Sequence, residues 1–197
     1  PQLVERLLAD ICDDADRLPL LQHVLMRTWD YWAANHQRGE PLDIDHYEAV
    51  GTVSEALSQH AEEVYAELAD DESRRIARLL FRSLAGGAGI FRDGRRPTDL
   101  DEIAAIAGLE PDPVKAVVEH FRMAGRWFVM PSPEVPLQGG TVLDIPHESL
   151  LRQWPRARSW MEEETQSAHL YTRIANTAAL YQEGRAGLYQ DPDLELA

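Results

Sequence analysis

The sequence predicts a mainly α protein: a four-helix bundle, then a second unit with a two-stranded β-hairpin, then a long terminal helix. Three observations predict this. Apolar residues recur at three- and four-residue spacing over most of residues 3–181, the period of a helix with one buried face. Only 127–130 and 142–145 are short aromatic or β-branched runs of the kind that form strands. Between these stretches, Pro19, Pro111, Pro155, Gly51 and Gly108 fall where helices start or stop.

In the first unit, Leu3, Leu7, Leu8 and Ile11 give an amphipathic helix that ends in the acidic turn Asp13 to Asp16. Pro19 opens a second, expected to be central, whose Leu21, Leu25, Thr28, Trp29 and Trp32 form a broad apolar face. A short helix forms around Tyr47 and stops at Gly51. Thr52 or Ser54 can cap the fourth, in which Val53, Leu57, Ala61, Val64, Tyr65 and Leu68 repeat at helical spacing. The joint near Leu68 to Ser73 is short, polar and acidic, which predicts two units that move separately.

The second unit begins with a helix over Ser73 to Leu84, with Ile76, Leu79, Leu80 and Phe81 inward and Arg74, Arg75, Arg78 and Arg82 outward; Gly86, Gly87 and Gly89 stop it. Thr98 is placed to cap a helix ending at Gly108, and Pro111 or Asp112 opens the next, through Met123. A hairpin follows, pairing 127–130 with 142–145 across a flexible tip. This order of helix, short strand, helix, helix and two-stranded wing is that of a winged helix.

The densest signals lie in Thr141 to Glu164. Pro146 cannot donate to a ladder and ends the strand. Leu150, Trp154, Ala157 and Met161, widened by Leu151 and Trp160, then form a helical stripe that Pro155 kinks or restarts, with Glu162 to Glu164 facing water. His147 sits at the strand-helix joint, where backbone N–H groups and a protonatable ring can face an anion, or where a histidine simply caps and packs. Beyond it, Leu170, Ile174, Ala178 and Tyr181 continue the period to Gly184, before an acidic end from Leu188 to Ala197.

Composition narrows the function. The chain has 197 residues and a net charge of −15, against the surplus of Lys and Arg that sequence-independent nucleic-acid binding needs. No apolar run approaches the roughly 18 residues of a membrane span, and Cys12 is the only cysteine, as befits a reducing cytoplasm. There is no Gly-x-x-x-x-Gly-Lys-Ser/Thr loop and no apolar strand ending in paired acids for magnesium. The chain is therefore expected not to hydrolyse a nucleotide alone. Its start at Pro1, without Met and already helical, reads as a piece of a longer protein.

The run IPHESLLRQWPRARSW, from Ile145 to Trp160, resembles a signature of bacterial STAND ATPases, AAA+-related signalling switches that include the NB-ARC and NACHT groups. Pro146-His147-Glu148 resembles their Met-His-Asp motif, and Arg17-Leu18-Pro19 resembles their Gly-x-Pro motif. The resemblance implies that His147 touches the phosphate end of bound ADP and that Pro19 packs on the adenine. It divides the chain into a helical lid subdomain (1–70), a winged-helix domain (71–164) and a helical connector (165–197). It also implies ATP or ADP with Mg in the parent, an upstream nucleotide-binding core, a downstream repeat sensor such as a WD-repeat propeller, and oligomerisation on activation.

Two other classes compete with that reading: a winged-helix DNA-binding regulator, and a helical protein-interaction module with no nucleotide role. Against the first, the candidate recognition helix sets only Lys115 and Arg122 beside Asp112 and Glu119. The one basic patch is the seven arginines from Arg74 to Arg96. Eleven carboxylates and no Lys or Arg lie between Arg38 and Arg74, so ion pairing inside the protein or with a nucleotide-binding core competes with nucleic acid.

Overall fold

The computed structural model describes residues 2–11, 17–86, 95–146, 148–185 and 187. The described residues are mainly helical, with one small antiparallel sheet. The elements run α1 (Gln2–Ile11), α2 (Arg17–Asn35), α3 (Ile44–Ala49), α4 (Thr52–Ala66), α5 (Asp71–Leu84), β1 (Thr98–Asp99), α6 (Leu100–Ala107), α7 (Pro111–Arg122), β2 (Val142–Leu143), α8 (Glu148–Gln153) and α9 (Pro155–Gln182). None of these helices is long and apolar enough to cross a membrane.

The centre is α4, not α2. It packs on α1, α2 and α3, and also on α8 from the far end of the sequence. Its Val53, Ala56, Leu57, His60, Ala61 and Val64 are buried. On α2 the buried stripe is Leu20, His23, Val24 and Thr28, one position behind the expected face, so that Leu25 and Trp29 (56 % exposed) point outward. Thr28 is tolerated inside because its hydroxyl donates to the Val24 carbonyl. Leu8 is likewise exposed, while Leu7 is buried.

Caps come from residues other than those expected. Asp43 caps α3, its N–H donating back to His46 Nδ1 in a reciprocal box. Gly51, at φ 90°, ends that helix and precedes α4 with no side-chain cap. Neither Thr52 nor Ser54 caps it; the buried Tyr47 hydroxyl accepts from Val53 N–H at 3.1 Å and donates to Asp10 at 2.7 Å. Burial and Asp10 push the Tyr47 phenol up to about 12. Asp70 caps α5 through Ser73 N–H, and Asp99, not Thr98, caps α6 through Glu102 N–H. The Thr98 hydroxyl donates instead to the Arg96 carbonyl.

The sheet also differs from the expected hairpin. β2 pairs with β1, Thr98 opposite Leu143 and Asp99 opposite Val142. The 127–130 run meets the returning strand only at the bridge between Met130 and Asp144. The reason lies in two anchors. Trp127 has φ 52°, which breaks an extended run at its start. Arg122, fully buried, donates to the carbonyls of Pro131, Ser132 and Val135 and forks onto Glu119, drawing the following segment toward α7.

Pro155 restarts the helix: α8 stops at Gln153 and α9 opens on Pro155, whose missing N–H costs nothing there. Leu150, Leu151, Trp154, Ala157 and Trp160 are all buried, as their spacing predicts. One apolar cluster runs from Leu7 to Trp160 through both halves of the chain. The joint before α5 is tied as well, since Leu68 is buried and its carbonyl accepts from Arg74. That continuous core opposes the loose joint the acidic composition suggested.

Candidate functional site

Of the two candidate nucleotide contacts, Pro19 is described and His147 lies outside the described residues. Pro19 is half-buried in the first turn of α2. It lines a cavity of about 230 Å³ with Gln22, His23, Met26, Arg126 and Trp127. The walls thus come from two places, α2 and the turn that follows α7. The joint that holds residue 147 leads into α8, which packs on α4 as α2 does. Two residues beyond it, the Ser149 hydroxyl is buried with no hydrogen-bond partner among the described residues.

His23, which lines the Pro19 cavity, is one of a histidine pair. His23 Nε2 and His60 Nδ1 lie 3.3 Å apart, and the rings meet Phe128 tilted and edge-on respectively, with centroids at 5.8 and 5.0 Å. Burial, then the positive charges of Arg27 and Arg126 and the neighbouring His23, lower the His60 pKa to about 3. His60 is therefore neutral near pH 7. Sequence reading passed over both histidines because they interrupt an otherwise apolar stripe. The spacing of His23 and His60 across two helices carries no periodic signal.

Arg126 ties the turn down. Its guanidinium donates to the His120 carbonyl at 2.9 Å and to the Glu67 carboxylate, while His120 Nε2 donates to the Val64 carbonyl at 2.8 Å. Gly125, at φ 85°, makes the turn. Trp127 then takes a left-handed backbone that a bulky residue adopts at a cost of about 1–3 kcal/mol. It does so because Arg126 on one side and the buried Phe128 on the other are both fixed. Its ring is left 54 % exposed.

A second joint closes the opposite side of α4. Glu62 accepts from Trp154 Nε1 at 2.8 Å and from Arg156, whose guanidinium also lies 4.3 Å from the centroid of the Tyr65 ring. The Arg156 hydrogen bond, helped by that of Trp154 and opposed by burial, holds the Glu62 carboxyl below its usual range. A wide groove of about 610 Å³ runs over this ion pair. Arginines of the patch among the described residues are bonded internally too. Arg74 pairs with Asp71, Arg78 with Glu163, Arg82 with Glu164 and Arg96 with Glu102, and Arg75 donates to the Ala107 carbonyl. Two of the three glutamates expected to face water are thus partners of α5.

The family model of Novel STAND NTPase 1 matches residues 1–187. The chain belongs to that family. No curated protein and no solved structure matches it. Among the described residues, no group of three or more His, Cys, Asp or Glu side chains could hold a metal ion.

Proposed function

We propose that this chain is the lid and winged-helix portion of a STAND NTPase, which helps hold ADP and keeps the switch closed until activation. The observation that carries the reading is that α2, with Pro19, and α8, just after His147, pack on the same helix, α4. One rigid element thereby spans the two contacts, and a nucleotide touching both favours the closed arrangement over the open one. The order α5, β1, α6, α7, β2, with β2 returning beside β1, supports the winged-helix assignment of 71–164. Residues 1–70 are the lid and 165–197 the connector.

In this reading no residue of the chain is catalytic. ADP with Mg is bound chiefly by an upstream nucleotide-binding core of the same protein, which supplies the metal ligands. The connector leads to a downstream repeat sensor, and activation brings oligomerisation in the cytoplasm. A DNA-binding role is not favoured, because the arginines that would meet phosphates are bonded to Glu163, Glu164, Asp71 and Glu102.

The test is ADP release from the full-length protein. A charge-assisted bond from His147 to a terminal phosphate oxygen is worth about 1.5–3 kcal/mol, so His147→Ala should speed ADP dissociation roughly ten- to hundred-fold and produce signalling without the trigger. An unchanged off-rate with a lowered melting temperature would make His147 a packing residue and end its reading as a phosphate contact.

A further inference from the structure

A cavity of about 260 Å³ opens where α5, α6 and α9 meet. Leu79, Arg82 and Ser83 stand at i, i+3 and i+4 on α5, so they share one face of that helix. Ile106 of α6 adds an apolar wall that is 50 % exposed, and Arg96 comes from the segment before β1. The backbone holds Arg96 in place: its N–H donates to the Leu84 carbonyl at 2.7 Å, and its own carbonyl accepts from the Thr98 hydroxyl at 2.9 Å. Glu164 of α9 completes the charged lining.

In a protein of net charge −15, this lining sets two guanidiniums against one carboxylate. Each guanidinium carries several N–H donors in a fixed fork. Arg82 gives Nη2 to Glu164 and Arg96 gives Nη2 to Glu102, which leaves the rest of both forks for a further acceptor. Glu164 shows what the site accepts, since its carboxylate is already seated on Arg82. Leu79 and Ile106 beside the cations offer an apolar side that an inorganic ion leaves bare.

We propose that this cavity binds a small organic monocarboxylate with a short apolar chain, its carboxylate between Arg82 and Arg96 and its chain against Leu79 and Ile106. The surplus of one positive charge in the lining matches one negative charge, and the planar forks match a carboxylate through paired hydrogen bonds. The Ser83 hydroxyl supplies one more donor. The volume lies below the roughly 300–1,000 Å³ of pockets that enclose drug-sized ligands, so the chain is a few carbons long. The bound carboxylate repels Glu164 and shares Arg82 with it. Because Glu163 and Glu164 tie α9 to Arg78 and Arg82 of α5, occupancy loosens the long helix at that point.

The experiment follows the arginine Nε–H signals of this chain by NMR during titration with butyrate, acetate, butanol and inorganic phosphate. The Arg82 and Arg96 signals are those lost in Arg82→Gln and Arg96→Gln. Butyrate should shift both saturably, with a dissociation constant on the order of 1 mM for so small a ligand. Acetate and phosphate should bind several-fold more weakly, and butanol should leave both signals in place. Ile106→Ser, at an exposed position, should bring butyrate down to the level of acetate with the melting temperature unchanged. Glu164→Gln should tighten butyrate several-fold, because it removes the competing charge and frees Arg82. The proposal is overturned if neither signal saturates, or if acetate or phosphate matches butyrate, which leaves an adventitious ion only. It is equally overturned if Glu164→Gln leaves the affinity for butyrate unchanged or lowers it, since Glu164 is then a wall of the cavity and not a competitor.

Discussion

Residues 155–164 and 165–182 lie on one unbroken helix of 28 residues, about 42 Å long, and both carry apolar residues at helical spacing. In the first stretch Ala157 and Trp160 are buried, and Glu163 and Glu164 pair with Arg78 and Arg82 of α5. In the second no side chain is buried, and Tyr171 is 74 % exposed. Its polar side chains look inward to their own helix: Thr165, Ser167, Thr172 and Thr177 each donate to the carbonyl four residues back. Periodicity makes the helix in both stretches. Burial follows only where another element supplies a surface, and here α5 and α8 supply it to the first stretch alone.

The sharpest way to break the contrast is at Trp154, which leads into the packed stretch. It is fully buried, with ring contacts to Tyr65, Phe81 and Trp160 and a hydrogen bond to Glu62. Trp154→Ala should cost about 3–5 kcal/mol and separate α8 and α9 from α4. Urea unfolding measures it, and a loss below about 1 kcal/mol would show that this joint is not the main support.

A second effect is confined to acid. His60 titrates near 3 in the folded protein and near 6.5 when unfolded, so the unfolded chain binds the extra proton first. Its stability contribution is whole above about pH 6.5 and is lost as pH falls toward 3, by at most about 1.4 kcal/mol per unit. Glu62 adds to the loss only below its ordinary carboxylate range, because its own pKa is lowered. His60→Gln should therefore flatten the slope of stability between about pH 6.5 and 4.5. Substitutions in 165–182 should leave that slope alone. A steep slope surviving in His60→Gln would assign it to another group.

Trp154→Phe is milder than either. It keeps a ring in the core but removes the donor to Glu62, which retains Arg156. A loss of about 1 kcal/mol is expected, read by the same unfolding measurement. A loss as large as that of Trp154→Ala would mean that the hydrogen bond, not the ring, joins α8 to α4.

Much of this was legible in the sequence, for physical reasons. The stripe Leu150, Trp154, Ala157, Trp160 reads correctly because its members are apolar and unambiguous, and of the two outcomes Pro155 allows, a kink or a restart, the helix takes the restart. Gly51 and Gly108 mark helix ends because each takes a positive φ. On α2 the hydrophobicity of Leu25 and Trp29 draws the expected face past the buried His23 and Val24, whereas Thr28 lies inside as expected. His23 and Thr28 are buried only because His60 and the Val24 carbonyl receive them. The strand at 127–130 was overcalled for a similar reason: β-branched and aromatic residues favour extension, and nothing local shows that Arg122 will bind three carbonyls beyond it. The Pro19 cavity needs Arg126 and Trp127, more than a hundred residues away, so no local pattern contains it.

The smallest expected effect lies in the bare part of α9. Ile174→Ser removes a half-buried apolar group from a stretch in which no described side chain is fully buried, so the loss of burial is slight. Serine is a somewhat poorer helix former than isoleucine only by tenths of a kcal/mol. The change should stay within about 0.5 kcal/mol by urea unfolding, while the same kind of substitution at Ala157 or Trp160, inside the core, should be several times larger. A dilution series completes the test. If Ile174→Ser destabilises by more than about 1 kcal/mol at high concentration and not at low, a second copy covers the stripe. If it destabilises equally at both, the stripe packs within its own chain, and the contrast between the two stretches of α9 fails.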